Sequence, residues 1–483
     1  MSDLPGGRIF SEAPATIRAE TVVVGSGPGG AISAALLAQA GRDVLIVEDG
    51  AYFEEGFCPP FSQQEMMAKY RNGGLTPALG RTKVTYVEGR CVGGGSEINS
   101  GLYHRTPPEA LERWRKEYEA QALEDATLEP YFATVERDLS VGLLPGPAPA
   151  ASLKLQEGAQ KLGWSSLEAP RWYKYDERGA TRQSMSQTYL PRALAHNARL
   201  LHSARIMQFR EAGGRWSLQG QSRNGRRFEI TAEKLILAAG AIQTPALLRR
   251  SGIKTQIGNS LRMHPTAKVV ARFPEEVNAR GLGVPVHQVK EFAPEISFGC
   301  SISSPAYLGL ALLDHPAEVP RVAENWKRMA IYYAMVASDT TGSVRCLPGF
   351  ADPLVRYPVS AGELRALAFG MRKLCELLLA AGAEKLFLGV AGIPPICGPG
   401  ELFRIPAAFA PGSANLMTIH LFSTCPMGEN RARCATDSFG RVHGFSSLFI
   451  NDASLLCTAP GVNPQGSIMA LAHRNAAHLV QNW

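Results

Sequence analysis

The strongest apolar pattern in the chain is "TVVVGSGPGGAISAALLAQAGRDVLIVED", residues 21 to 49. Its unbroken run of β-branched residues suits a strand covered on both faces, as in a parallel sheet. The alanine- and leucine-rich stretch that follows predicts a buried helix closed by Gly41, and "DVLIVED" predicts a second strand. Further on, "KLILAAG" (234–240) and "LFINDAS" (448–454) predict buried strands, the latter ahead of a closing helix. "RWSLQGQSRNGRRFEIT" predicts a hairpin turning at Asn224-Gly225. Between these lie alternating runs such as "RMAIYYAMVAS" and the helical "AGELRALAFGMRKLCELLLAAGA", which predict a sheet flanked by helices. No internal repeat or low-complexity segment interrupts the pattern.

The first of these segments is a complete β-α-β unit with Gly25, Gly27 and Gly30 in GxGxxG register. Glycines at 25 and 27 let the backbone turn tightly and approach a pyrophosphate, which the free N–H groups and dipole of the helix N-terminus attract. Glu48 ends the second strand, where an acid accepts ribose hydroxyls and disfavours a 2′-phosphate. The unit alone fits FAD or NAD. A second glycine cluster, "GRCVGGGSEIN", places Gly93, Gly94 and Gly95 in succession before Ser96 and Asn99. Two glycine loops directed at one ligand favour an extended flavin dinucleotide.

Composition narrows the class further. The 483 residues are 45% hydrophobic and 19% charged, which excludes a disordered or collagen-like chain. A net charge of +7 is dilute over this length, and "RWRKEY" mixes its signs, so no nucleic-acid partner is implied. The nine cysteines are scattered without a CxxC pair, and the N-terminus lacks the pattern of a secretory signal. Reduced thiols and a cytoplasmic location are therefore expected. No apolar run reaches a membrane span, while peripheral membrane contact stays open. His473 and His478, five residues apart, diverge by about 140 degrees on a helix, and no metal site is expected.

"GRCVGGGSEIN", "GAIQTPALLRRSGI" (240–253), "IGNSLRMHP" (257–265) and the C-terminal "LFINDASLLCTAPGVNPQGSIMALAHRNA" resemble, in order, the elements of the glucose-methanol-choline (GMC) oxidoreductases, a family of FAD enzymes. Within it, "GGGSEIN…HRTP" and "GVNP" are most similar to long-chain fatty alcohol oxidases and dehydrogenases. Thr106 and Lys254 depart from the family signatures, at positions outside the chemistry. The resemblance implies an α/β fold, α+β overall, in which a Rossmann-type FAD-binding domain (1–110, 195–265 and 415–483) carries a discontinuous substrate-binding domain of antiparallel sheet and helices (111–194 and 266–414). Ile98 stands where some relatives attach the flavin covalently through histidine, so non-covalent FAD is expected.

The resemblance also assigns the chemistry. An alcohol yields its α-hydrogen as hydride only as its hydroxyl proton leaves, which calls for a base with a pKa near the working pH. His420 in "TIHLFSTCPMG" matches the family's catalytic histidine, and Asn463 matches its partner, holding the substrate oxygen. Asp452 matches the acid near the ribityl and pyrophosphate region, with Ala453, Gly240 and Pro464 also along the cofactor. His264, ahead of Pro265, is read as structural. The expected reaction converts an alcohol, most readily a lipophilic one, to an aldehyde or ketone, with oxygen, a quinone or a cytochrome taking the electrons. The same fold hosts hydroxynitrile lyases and fatty acid photodecarboxylases, which define the rival non-redox or light-driven reading.

Overall fold

A computed structural model describes residues 8–177, 179–281 and 283–483. The first seven residues of the expected nucleotide-binding segment, together with Arg178 and Leu282, lie outside these. Thr16–Val24 and Val44–Val47 pair in parallel and flank the helix Pro28–Gln39, as the sequence pattern predicts. The sheet extends in parallel through Arg199–Leu201 to Ile9–Phe10 on one side. On the other, Thr16–Val24 pairs in parallel with Arg227–Leu237, which has two further partners. Its first half closes the predicted hairpin with Arg215–Ser222, and its last three residues pair in parallel with Leu448–Ile450. Val22, Val23, Leu45 and Ile46 are inaccessible to solvent, which is why these strands read as continuous apolar runs.

A second sheet, mainly antiparallel, is built on Thr266–Arg272, Met329–Val336 and Ile296–Ser301, with the helix Ala361–Ala380 packed behind it. Ser360 caps that helix: its hydroxyl accepts from the Glu363 N–H while Glu363 reaches back to the cap. Chain segments cross between the two cores. Thr76–Ala78 and Val84–Tyr86, from the expected FAD-binding stretch, hydrogen-bond in the second sheet. The helices Pro108–Tyr118 and Asp125–Asp138, from the expected substrate-binding stretch, bury Leu111, Trp114, Leu128 and Phe132 in the first core. Their apolar stripes are readable, but the surface they cover is set by the closing helix Gln465–Gln481, against which Asp125–Asp138 packs.

Within the first sheet, the nucleotide-binding loop and helix are held by backbone running directly on backbone. A Cβ at Gly29 would lie 1.7 Å from the Asn451 carbonyl oxygen, and one at Gly25 would lie 2.3 Å from that of Ala238. The nucleotide-binding helix thus seats directly on the strand ends at 238 and 451. Gly29→Ala should destabilise the protein by at least about 3 kcal/mol, because only backbone movement relieves such a clash. Gly142→Ala, where nothing lies within 4 Å, should be close to neutral. Thermal denaturation of the two variants beside the parent checks the difference.

Candidate active site

One continuous cavity runs from the β-α-β unit to the face of the second sheet. Of the expected residues it is lined by Gly25, Gly27, Glu48, Gly94, Gly95, Asn99, Gly240, Asp452, Ala453, Pro464, His420 and Asn463. Gly30, Gly93 and Ser96 do not line it. Gly30 packs on the Gly25 carbonyl, Gly93 donates its N–H to the Ser26 hydroxyl, and Ser96 bridges the Gly93 carbonyl and the Met185 N–H. These three shape the loops from behind.

At the nucleotide end, Glu48 accepts hydrogen bonds from the Ser26 N–H and hydroxyl and from the Gly50 N–H. Burial raises its pKa while these bonds oppose the shift. Beside it, Arg71 is buried among Asp49, Glu88 and Asp352, an ion cluster that sequence reasoning missed because its members lie far apart in the chain. Asp452 serves as a structural acceptor as well as a wall. Its oxygens take the Gly240 N–H (2.9 Å), the Thr244 hydroxyl, and both the N–H and hydroxyl of Ser454, which ties the helix Gly240–Arg250 to the strand end.

These residues fit a flavin dinucleotide. The helices Pro28–Gln39 and Gln465–Gln481 both begin at the cavity without a side-chain cap or an acid in the first turn, leaving N–H groups and positive dipole ends facing it. Asn99 Nδ2 and Gln465 Oε1, on the cavity wall, have no hydrogen-bond partner among the described residues. Backbone atoms of Gly94 approach Gly27 closely enough that a Cβ at 94 would sit 2.9 Å from the Gly27 Cα.

At the other end, a short antiparallel pair, Arg262–Met263 with Leu421–Phe422, brings residues 264 and 420 side by side. His264 Nδ1 lies 3.0 Å from His420 Nδ1, with the rings nearly perpendicular. The Gly461 N–H donates to His264 Nε2 at 3.2 Å. His420 Nε2 is 3.4 Å from Asn463 Nδ2, and Asn463 Oδ1 accepts from Gln288 Nε2 at 3.0 Å. The structure thus brings His420 and Asn463 together and adds His264, which the sequence marked only as structural, and Gln288, for which the sequence gave no signal.

The electrostatics correct one expectation. His420 was expected to titrate near the working pH, but burial, with the nearby charge of Lys290, lowers its pKa to about 3. Burial, with His420 and Lys290 as neighbours, also holds His264 and His104 neutral. The ring is therefore a neutral imidazole at neutral pH.

The GMC oxidoreductase family description matches residues 66–266 in its N-terminal part and 341–472 in its C-terminal part. The chain belongs to the GMC oxidoreductases. An uncharacterized GMC-type oxidoreductase of Sinorhizobium fredii, y4nJ, is 39% identical over 476 residues, covering 95% of this chain and 94% of that one. Long-chain-alcohol oxidase FAO3 of Arabidopsis thaliana is 25% identical over 515 residues, covering 95% of this chain and 67% of that protein. The crystal structure of pyridoxine 4-oxidase from Mesorbium loti shares the fold, with a TM-score of 0.74 at 19% identity over 95% of this chain and 99% of that one. As a GMC oxidoreductase, the protein is an FAD-dependent enzyme acting on CH–OH groups, with a small-molecule substrate and an electron acceptor. Among the described residues no helix is long and apolar enough to cross a membrane.

A histidine with a pKa of about 3 keeps its lone pair at every pH above that value. The rate of flavin reduction by alcohol in this GMC oxidoreductase should therefore stay level as pH falls from neutrality through 6.5, the ordinary histidine value, and decline only as it nears about 3. Stopped-flow reduction across that range checks this, and a limb near 6.5 would show a solvated ring.

Proposed function

We infer that the protein oxidises a lipophilic alcohol to an aldehyde or ketone, with His420 taking the hydroxyl proton and Asn463 holding the substrate oxygen. The observation that carries this reading is the convergence of His420 Nε2 and Asn463 Nδ2, 3.4 Å apart, in the cavity that also holds the glycine loops. The wall beyond them is largely apolar, with Ile302, Met335, Met417 and Leu313. Bound FAD supplies the acceptor for the carbinol hydrogen and its electron pair. Gly25, Gly27, Glu48, Gly94 and the two helix N-termini would hold it. No covalent tether forms at Ile98, which has no nucleophile.

The tautomers follow from the partners. A backbone N–H only donates, so the Gly461 bond puts the His264 proton on Nδ1, directed at His420 Nδ1, and the His420 proton on Nε2. A base needs the reverse, with the His420 proton on Nδ1, His264 accepting it, and the Gly461 bond given up. Leaving the buried Gly461 N–H without its acceptor costs about 1–3 kcal/mol. That is small beside the roughly 16 kcal/mol barrier of a reaction at about 10 per second. His264 thus sets the ratio of the two forms, and Asn463, fixed by Gln288, meets the oxygen as its proton leaves. The low basicity of His420 favours loss of the hydroxyl proton together with, rather than ahead of, the carbinol hydrogen.

His420→Ala should slow anaerobic flavin reduction by about 10²–10⁴-fold while the flavin stays bound. Rapid mixing of the purified variant with a panel of long-chain alcohols, read at the flavin's visible absorbance, tests this. An unaltered rate would remove His420 from the reaction.

A further inference from the structure

One charged side chain in the cavity has no role in the chemistry so far described. Lys268 lies in the strand Thr266–Arg272, whose neighbouring residues Val269, Val270 and Ala271 are inaccessible to solvent. It pairs across the sheet with Tyr333, and both line the same cavity as His420 and Asn463. No hydrogen bond or ion pair links its ammonium to any described residue. Arg71, Arg205 and Arg250 also line the cavity but differ in this respect, the first two being tied to Asp49, Glu88 and Asp352 and the third donating to the Met207 carbonyl. Around Lys268 the wall is apolar, with Met335, Met417, Leu310 and Ile302, and Leu313 and Ile419 stand partly exposed at the rim.

An ammonium placed in such surroundings without an acid costs free energy, and proteins usually avoid it by pairing or by omitting the residue. Burial lowers the Lys268 pKa only to about 8, so the group is still mostly charged at neutral pH. A cavity that is open, apolar and furnished with one unpaired cation is complementary to an amphiphile with one negative charge. A single lysine without an arginine fork or a helix N-terminus beside it suits a carboxylate better than a phosphate, which gathers several donors. The phosphates of the dinucleotide have their own site at the glycine loops.

Building on the oxidation of a lipophilic alcohol, we propose that the preferred substrate carries a carboxylate, received by Lys268, separated by an apolar spacer from the carbinol that meets His420 and Asn463. The spacing supports a spacer. Gln288, which donates to Asn463, and Lys268 are three cross-strand steps apart in the second sheet, roughly 14 Å between Cα atoms at ~4.8 Å per strand. The substrate class is therefore a hydroxy acid whose hydroxyl is remote from its carboxyl group.

Two measurements on the FAD-loaded enzyme test this. In the first, oxidised enzyme is titrated with decanoate and with decanamide, neither of which can be oxidised at a carbinol, following the shift in flavin absorbance. Decanoate should bind at least tenfold more tightly, and in Lys268→Met the two should bind alike, with Lys268→Arg keeping part of the preference. In the second, anaerobic reduction by ω-hydroxydecanoate is compared with reduction by decanol, and the KM ratio should favour the hydroxy acid at least tenfold in the parent and collapse in Lys268→Met. Equal binding of decanoate and decanamide by the parent, or ratios that Lys268→Met leaves unchanged, would overturn the assignment. Lys268-dependent binding of decanoate without bleaching by either alcohol would uphold the anion site and refute the oxidation reading. Bleaching by both alcohols with equal KM would do the reverse.

Discussion

The cavity exists because main chain meets main chain at the carboxyl ends of the parallel strands. With no side chain at 25 or 29, the nucleotide-binding loop and helix seat directly on the carbonyls of Ala238 and Asn451. Everything downstream inherits that placement. Asp452, next to the contact, holds the Gly240 helix, and residues 453–455 offer carbonyls to the N–H groups of Ser423, Cys425 and Met427. That ladder fixes the segment carrying His420. Asn463 follows a few residues later, at the entry to the closing helix. The positions of His420 and Asn463 therefore derive from the same glycine contacts that shape the glycine loops, although the residues are far apart in the chain.

Burial then determines what the pair can do. Beyond burial, the His420 ring opposes protonation of both His104 and His264, and Lys290 opposes that of all three. A site with this field keeps its imidazoles neutral and makes a stable imidazolium costly, so charge separation must be brief. Such an arrangement favours transfer of proton and carbinol hydrogen in one event over a long-lived alkoxide. It also makes the Gly461 bond to His264 more than a packing detail, since it sets which ring nitrogen of His420 carries the proton.

The parts legible in the sequence are those whose information is local. The β-α-β unit, its glycines, its terminal Glu48 and the Asn224-Gly225 hairpin are each contained in a window shorter than about thirty residues, and the structure has them where the pattern predicts. His420 and Asn463 needed the family resemblance, because nothing in their flanking residues distinguishes a base from a satisfied core histidine. Asp452 was legible as a residue of the cavity, but its donors Gly240 and Thr244 lie some two hundred positions away. The contact of His264 with His420 was not legible, because it depends on the register of a two-residue strand pair. Gln288 left no trace at all. Lys268 sits among the buried Ala267, Val269, Val270 and Ala271, a setting that calls for a partner for its ammonium whether or not the fold supplies it.

One row of the second sheet joins reaction and recognition. Gln288, Gly299, Tyr333 and Lys268 are successive cross-strand partners. Gln288 fixes Asn463 at one end, the Tyr333 hydroxyl crosses the open place left by Gly299, and Lys268 stands at the other end. Three strand steps of ~4.8 Å separate the outer Cα atoms by roughly 14 Å. Loops vary and relax, whereas the spacing of hydrogen-bonded strands does not. The distance between the backbone that carries Gln288 and the backbone that carries Lys268 is thus set by the sheet, and the flexible stem of the lysine moves its ammonium about that fixed point.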